Sequence, residues 1–152
     1  MPTMTIPSSS AHMSEQIAAH LGSKLKGGEV IELVGDLGGG KTTFVRGLAR
    51  GLGSQDIVRS PSFTIANEYT ANGLTLHHFD FYRLEDAGIM ANELAEVLTD
   101  PNATIIIEWA NVVANLLTKP HLVIEFQQTG ENQRLLSFTY PKSYNYLIEN
   151  KI

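Results

Sequence analysis

Residues 35–42 read GDLGGGKT, and the fold expected for the chain follows from this glycine-rich run. It matches the pattern G-x-x-x-x-G-K-[ST] at every fixed position, and its members are Gly35, Asp36, Leu37, Gly38, Gly39, Gly40, Lys41 and Thr42. Glycines allow consecutive backbone N–H groups to curl around phosphate oxygens. The stretch therefore predicts a phosphate-binding loop for a nucleoside triphosphate. Lys41 would reach the β- and γ-phosphates, and the Thr42 hydroxyl would bind Mg²⁺.

The sequence on either side of this loop supports that prediction. Residues 30–34 are an apolar run typical of a short buried strand, and residues 42–51 carry a helical pattern. A helix at this point adds its unpaired N–H groups and the positive end of its dipole to the loop. At ordinary residue frequencies a random chain of this length would match the pattern roughly once in 200. The strand–loop–helix context makes a chance match rarer still.

The rest of the chain predicts one α/β domain over residues 1–152. A first helical stripe recurs every four residues from Met13 to Leu25 and ends at Gly27, after serines that cap it. We expect residues 1–9 to be a disordered tail, and residues 141–152 give no clear prediction. Further strands are predicted at residues 63–69, 74–81, 104–107, 122–126 and 135–140, and helical stripes at residues 90–98 and 112–117. Crossover helices together with hairpins favour a three-layer domain like that of P-loop NTPases, with a mixed, mostly parallel central sheet and a C-terminal antiparallel hairpin.

Composition limits the classes of function. The chain has 152 residues, no cysteine and a formal net charge of −5, so disulfides and thiolate metal sites are excluded and bulk attraction to nucleic acid is not expected. The N-terminus has neither a basic nor an apolar region of the kind found in secretory signals. No stretch approaches the roughly 18 uninterrupted apolar residues of a membrane helix. We expect a cytoplasmic protein with no membrane partner.

A triphosphate site also needs carboxylates, and two candidates follow apolar runs. Asp80 ends the run at residues 76–79, and Glu108 ends the run at residues 105–107. Ligands of open α/β sheets gather at the carboxyl ends of strands, so both side chains could face the nucleotide. We predict that Asp80 holds the hydrated Mg²⁺ and that Glu108 orients or deprotonates the attacking water. Either residue could instead be a surface or capping carboxylate.

A second candidate element lies at residues 58–64. Nucleotide switch loops place a hydroxyl beside the γ-phosphate and reorder on hydrolysis. The hydroxyls available for this role belong to Ser60, Ser62 and Thr64. The alternative is an ordinary turn that contains Pro61.

Other conspicuous residues carry weaker signals. His77 and His78 are adjacent in a predicted strand, so their side chains should point to opposite faces and make a poor metal pair. Trp109, the single tryptophan, lies next to Glu108 and is either a packing residue or close to the nucleotide. An element that would read guanine is missing after the late strands, since Lys119 is not followed by the acidic residue that guanine requires. ATP is therefore favoured over GTP.

Taken together, the motifs resemble the TsaE (YjeE) family over most of the chain. They are the phosphate loop with Thr43, then Arg46-Gly47, Ser60-Pro61-Ser62-Phe63-Thr64, Glu68-Tyr69, His78-Phe79-Asp80-Phe81-Tyr82-Arg83-Leu84 and Ile107-Glu108-Trp109. Three departures are small: Gly39 replaces a usual Ala, Ser62 a usual Thr, and Ala110 a usual Pro.

The resemblance implies an ATPase required to make threonylcarbamoyl-adenosine at position 37 of tRNA. It implies that the chain acts with TsaD and TsaB, meets tRNA only through that complex, and hydrolyses ATP to reset it between turnovers. It also implies that Lys41 and Thr42 bind phosphate and Mg²⁺, and that Asp80 and Glu108 serve the metal and hydrolysis. Thr43, the segment with Ser62 and Trp109 would lie near the nucleotide.

Two other classes remain open from the sequence. A nucleotide-gated binding module would need ATP for its shape but not hydrolysis. A small-molecule kinase would transfer the phosphoryl group to an acceptor other than water. The absence of an Arg-rich lid, which a kinase needs to exclude water, disfavours that last alternative.

Overall fold

A computed structural model describes residues 1–35, 40–58, 66–82 and 88–148. Their elements, in chain order, are β1 Thr3–Ser8, α1 Ala11–Gly22, β2 Val30–Val34, α2 Lys41–Leu52, β3 Ala66–Ala71, β4 Leu74–Asp80, α3 Ile89–Val97, β5 Ala103–Glu108, a 3₁₀ helix Ala110–Leu116, β6 Leu122–Gln128, β7 Arg134–Thr139, a 3₁₀ turn Lys142–Tyr144 and α4 Asn145–Ile148. The predicted α/β class is confirmed. Of the strand predicted at residues 63–69, the first three residues lie outside the described ranges.

Within the described residues, seven strands form one sheet in the order β1-β7-β6-β2-β5-β4-β3. The four central strands β6, β2, β5 and β4 run parallel to one another, whereas β3 pairs antiparallel with β4, β7 with β6, and β1 with β7. The mixed sheet and the C-terminal hairpin of β6 and β7 are confirmed. The prediction of a mostly parallel sheet is wrong, because antiparallel strands extend both edges and the two kinds of pairing are equal in number.

The predicted disordered tail over residues 1–9 is also wrong. Residues Thr3–Ser8 form β1, which pairs antiparallel with β7 from Thr3 opposite Thr139 to Ser8 opposite Arg134. Its alternate residues Met4 and Ile6 pack against the core. Pro7 is tolerated because β1 is an edge strand, whose backbone N–H groups pair on one side only. Ser10 caps α1 as predicted, since its hydroxyl accepts from the Met13 N–H at 3.1 Å.

Two hydrophobic clusters cover the two faces of the sheet. One contains α1 and α2 with residues such as Ile106 of β5, and the other contains α3 and the 3₁₀ helix with Ile105 and Ile107. β5 is therefore buried on both faces, which explains its continuous apolar run. Within the described ranges, no helix combines the length and the apolar character needed to cross a membrane.

Helices α1 and α2 approach each other at glycines. A Cβ atom added to Gly51 would lie 1.9 Å from the carbonyl oxygen of Ala19, and one added to Gly47 would lie 2.4 Å from that of Glu15. Helix α1 ends at Gly22, earlier than predicted, where a Cβ would also meet α2. This close contact fixes α2, and with it the end of α2 that follows the phosphate loop.

The C-terminal residues 142–148 close the opposite end of the sheet. Glu29, 1% exposed, precedes β2 and accepts hydrogen bonds from the Thr104 hydroxyl at 2.8 Å and the Tyr146 hydroxyl at 2.5 Å. Backbone N–H groups of Lys26 and Gly27 also donate to it. A buried carboxylate with this many donors is satisfied, so it joins the last helix to the start of the central strand.

Candidate nucleotide-binding site

The predicted phosphate loop joins the carboxyl end of β2 to the first residue of α2. Gly35 follows the strand, and Gly40 precedes the helix in the left-handed region at φ 97°, a conformation that favours glycine. Asp36, Leu37, Gly38 and Gly39 lie outside the described residues. The strand–loop–helix arrangement that the motif requires is confirmed at both of its ends.

The N-terminus of α2 offers unpaired backbone donors. The first helical hydrogen bond runs from the Phe44 N–H to the Gly40 carbonyl, so the N–H groups of Lys41, Thr42 and Thr43 have no acceptor in the helix. No side chain among the described residues caps this end, and its first turn has no acidic residue. The end can therefore accept an anion.

Lys41 extends from this turn into a buried environment and is only 5% exposed. Its ammonium donates to the Gly35 carbonyl at 2.7 Å and lies 3.4 Å from Oε1 of Glu108. It also lies 5.2 Å from the centre of the Trp109 ring. The predicted phosphate-binding cation is thus beside the predicted catalytic carboxylate, at the mouth of the loop.

Glu108 is bound through both of its oxygens. Oε1 faces Lys41, and Oε2 lies 2.6 Å from Nε2 of His78. Burial alone would raise the pKa of Glu108, but the hydrogen bond and charge of His78 and the charge of Lys41 outweigh it, so this pKa lies below its ordinary value. Glu108 is therefore an ionised carboxylate at neutral pH.

Asp80 lies opposite Glu108 in the parallel pairing of β4 and β5. Its Oδ1 accepts a hydrogen bond from the Tyr82 N–H at 3.0 Å. Burial raises the pKa of Asp80 above its ordinary value, the Tyr82 N–H opposes this, and the charge of Glu108 adds to it. The two predicted carboxylates lie next to each other at the carboxyl ends of β4 and β5, as their positions after two apolar runs predicted.

Trp109 adopts an uncommon backbone conformation for a bulky residue, at φ 58° and ψ 55°. Its ring packs on that of Tyr82, with centres 4.8 Å apart. Its indole N–H is buried and has no hydrogen-bond partner among the described residues. With Gly35 and Lys41 it lines a cavity of 260 Å³. Trp109 therefore lies beside Gly35 and Lys41, and its expected proximity to the nucleotide stays a prediction.

A larger cavity of 530 Å³ lies elsewhere, between Gly28, Leu117 and Tyr144 near the opposite ends of the parallel strands. None of the predicted site residues that the structure describes lines it. We assign the site to the smaller cavity, because the convergent charged groups are there. The predicted switch hydroxyls of Ser60, Ser62 and Thr64 lie outside the described residues.

The sequence analysis missed His78. It is fully buried and contacts Glu108, whereas the adjacent His77 points to the other face and pairs with Glu68 at 3.5 Å. The alternation of the two histidines was predicted correctly. The signal that could have found His78 is its two-residue spacing from Asp80, because residues i and i+2 of a strand share a face.

The residues present suit Mg²⁺ and a polyphosphate. A hydroxyl from Thr42 and oxygens from Asp80 and Glu108 are the hard ligands that Mg²⁺ prefers. The Lys41 ammonium and the open N-terminus of α2 suit phosphate oxygens. The indole N–H of Trp109, which is buried and has no partner in the described part of the chain, is a further donor at this site.

Comparisons with known proteins agree on one family. A family model described as "Threonylcarbamoyl adenosine biosynthesis protein TsaE" matches residues 8–136. A Bacillus subtilis (strain 168) protein named "tRNA threonylcarbamoyladenosine biosynthesis protein TsaE" is 40% identical over 115 residues, which cover 75% of this chain and 71% of the relative. A Rickettsia felis protein of the same name is 31% identical over 137 residues, or 90% and 80% of the two chains. A crystal structure of YdiB from Bacillus subtilis matches with a TM-score of 0.82 at 33% identity, and the match covers 97% of this chain and 93% of that one.

Proposed function

The chain belongs to the TsaE family of threonylcarbamoyl adenosine biosynthesis proteins, and from that premise we propose that it binds and hydrolyses ATP in support of this tRNA modification. The proposed reaction converts ATP and water into ADP and phosphate. Its role is to permit repeated turnover of the complex that modifies position 37 of tRNA. The contact between Lys41 and Glu108 at the mouth of the phosphate loop carries this proposal.

Each residue near the loop has a role that its position supports. The N–H groups at the start of α2 and the Lys41 ammonium bind phosphate oxygens. Thr42 and Asp80 supply oxygens for a divalent cation, which when bound neutralises charge on the phosphates. Trp109 closes the side of the site near Gly35 and limits the entry of water.

Glu108 is the residue proposed to act on the attacking water. Its carboxylate is ionised and buried, and one oxygen is bound to His78. When Lys41 turns to bind phosphate, Oε1 of Glu108 loses its cation and becomes available to orient water and accept its proton. Binding and hydrolysis are therefore assigned to different residues of one cluster.

The partners proposed for this activity are proteins rather than tRNA itself. The net charge of −5 gives the chain no general attraction to nucleic acid. The chain would act with TsaD, the transferase subunit, and TsaB, and tRNA would be reached through them.

Reconstitution with TsaD and TsaB tests the function directly. We expect the chain to bind the two proteins in an ATP-dependent way and to raise the amount of modified tRNA well above one equivalent of complex. Glu108→Ala should still bind ATP but abolish repeated turnover, while Glu93→Ala, which removes an exposed carboxylate from α3, should behave as the unmodified chain. Full modification with Glu108→Ala would instead favour a binding module whose shape alone depends on ATP. Transfer of the γ-phosphoryl group to an acceptor other than water would favour a kinase.

A further inference from the structure

We propose that His78 is a positioning residue for ATP hydrolysis, which holds Oε2 of Glu108 so that Oε1 is presented to the reacting water. The inference rests on the proposed function and adds a residue to it. His78 is not a catalytic residue in this scheme, because it acts through its hydrogen bond to Glu108 and not on the nucleotide or the reacting water.

The contact between the two side chains is short and fully enclosed. Nε2 of His78 lies 2.6 Å from Oε2 of Glu108, and His78 is 0% exposed. Bulk solvent therefore has no access to this side of the carboxylate. A hydrogen bond to a charged group in such an environment fixes the orientation of the carboxylate more firmly than an exposed contact would.

The direction of this hydrogen bond follows from the chemistry of its partners. An ionised carboxylate only accepts, so Nε2 of His78 carries the proton and donates it. The other ring nitrogen, Nδ1, is buried and has no hydrogen-bond partner among the described residues. Nε2 of the His78 ring is thus held by its hydrogen bond to Glu108, while the Nδ1 side is held by packing. This arrangement suits a side chain that donates to one acceptor.

Lys41 and His78 contact different oxygens of Glu108. Lys41 faces Oε1 and His78 binds Oε2. Lys41 belongs to the loop-and-helix turn that receives phosphate, whereas His78 lies in β4, in register with Ile106 of β5. When the Lys41 ammonium moves to bind phosphate, Oε2 of Glu108 therefore stays hydrogen-bonded to His78, which lies on the rigid strand β4. Without His78, the carboxylate would be free to rotate after Lys41 leaves.

A simpler interpretation is that His78 is a core residue whose hydrogen bond serves folding alone. On that interpretation its loss would lower stability and leave the turnover of each folded molecule unchanged. A positioning role predicts that loss of His78 lowers kcat, that activity returns only when a donor is restored at the position of Nε2, and that the effect disappears when Glu108 is also changed. A purely structural role predicts none of these three results. A positioning residue typically changes activity about 10–100-fold when its hydrogen bond is removed.

The test compares variants of the full chain by steady-state ATP hydrolysis and by calorimetric ATP affinity. His78→Leu removes the donor at similar volume. His78→Gln places an amide N–H near the position of Nε2, whereas in His78→Asn the amide is too short to reach it. His77→Gln is the matched control, because it changes the adjacent histidine on the other face of the same strand. Glu108→Gln and the double variant His78→Leu/Glu108→Gln complete a double-mutant cycle, which shows whether the effect of His78 depends on Glu108.

We expect His78→Leu to lower kcat by about 10–100-fold with little change in ATP affinity. His78→Gln should recover much of the loss, His78→Asn should not, and His77→Gln should match the unmodified chain. The double variant should be no slower than Glu108→Gln alone, because both changes remove the same function. If His78→Leu does not fold, the comparison of Gln with Asn decides.

Three results would overturn the inference: normal kcat in folded His78→Leu, equal losses in His78→Gln and His78→Asn, or multiplied losses in the double variant. Each of them would leave the proposed function intact, since the unmodified chain would still hydrolyse ATP. Absence of hydrolysis by the unmodified chain, alone and with its partners, would contradict the proposed function and this inference together.

Discussion

The ammonium of Lys41 lies 3.4 Å from Oε1 of Glu108, and both side chains are almost wholly buried. One of these residues opens the helix after the phosphate loop, and the other closes the central strand β5. A buried ion pair of this kind is weak support for stability, because desolvation offsets most of the attraction. Its position, between the first residue of α2 and the last residue of β5, is consistent with the proposed function, in which Lys41 binds phosphate and Glu108 acts on water.

The single tryptophan offers a direct optical signal of ligand binding. Trp109 lies 5.2 Å from the Lys41 ammonium and packs on Tyr82. If Lys41 moves to phosphate, the charge beside the indole changes, so tryptophan emission should change saturably as ATP and Mg²⁺ are added. The Lys41→Ala variant should show no such titration. An unmodified chain that binds ATP without any change in emission would place the nucleotide away from Trp109.

Gly51→Ala should destabilise the protein even though alanine is the better helix former. A Cβ at this position would lie 1.9 Å from the carbonyl oxygen of Ala19, so α1 and α2 would have to separate. We expect a loss of about 1–3 kcal/mol in the free energy of unfolding, measured by denaturant titration. Gly130→Ala is the control, because its Cβ would mainly meet the flexible end of Gln133. Equal stability of the two variants would contradict the packing described for α1 and α2.

The pair of His121 and Glu32 should make stability depend on pH. Nε2 of His121 lies 2.9 Å from Oε1 of Glu32, and this hydrogen bond raises the pKa of His121 above its ordinary 6.5. Because the pKa of His121 is higher in the folded state than in the unfolded state, its protonated form contributes to the free energy of unfolding. That contribution is complete below the ordinary pKa and is lost as the pH rises through the folded-state pKa. His121→Gln should therefore cost more unfolding free energy near about pH 5.5 than near about pH 9.

The matched control for this pH dependence is His12→Gln, which changes an exposed histidine of α1. Its cost should be small at both pH values. A cost for His121→Gln that grows with rising pH would show that the ion pair with Glu32 does not stabilise the folded state.

Loss of the cap of α1 should be measurable as well. Ser10 accepts a hydrogen bond from the Met13 N–H through its hydroxyl. Ser10→Ala should lower the free energy of unfolding by about 1 kcal/mol, and Ser10→Asp should restore most of it, since Asp caps equally well. Thermal denaturation followed by circular dichroism would check this. No difference between Ala and Asp would mean that the cap contributes nothing.

The local features of the site could be predicted from the sequence, because the residues of each feature are close together in the chain. The phosphate loop has its residues in one run, and Asp80 and Glu108 each follow an apolar strand. That the two carboxylates meet follows from the general rule for strand ends in open α/β sheets. The parallel pairing of β4 with β5 places them opposite each other.

What could not be predicted depends on partners distant in sequence. Residues Thr3–Ser8 become a strand only because β7 offers an edge, which no local pattern in a segment with Pro7 and serines reveals. The contact of His78 with Glu108 requires the register of β4 on β5 to be known. The burial of Lys41 could not be predicted either, because it depends on how α2 packs in the folded domain.

Calorimetric titration with ATP and Mg²⁺, using the unmodified chain, Lys41→Ala and Glu108→Ala, measures whether the phosphate loop binds nucleotide. We expect saturable binding to the unmodified chain, retained binding by Glu108→Ala, and an affinity lowered about 100-fold or more in Lys41→Ala, since charge-assisted hydrogen bonds from the ammonium to phosphate would be lost. Equal loss in both variants would contradict the separation of binding from hydrolysis. No heat of binding to the unmodified chain would contradict the phosphate-binding loop itself.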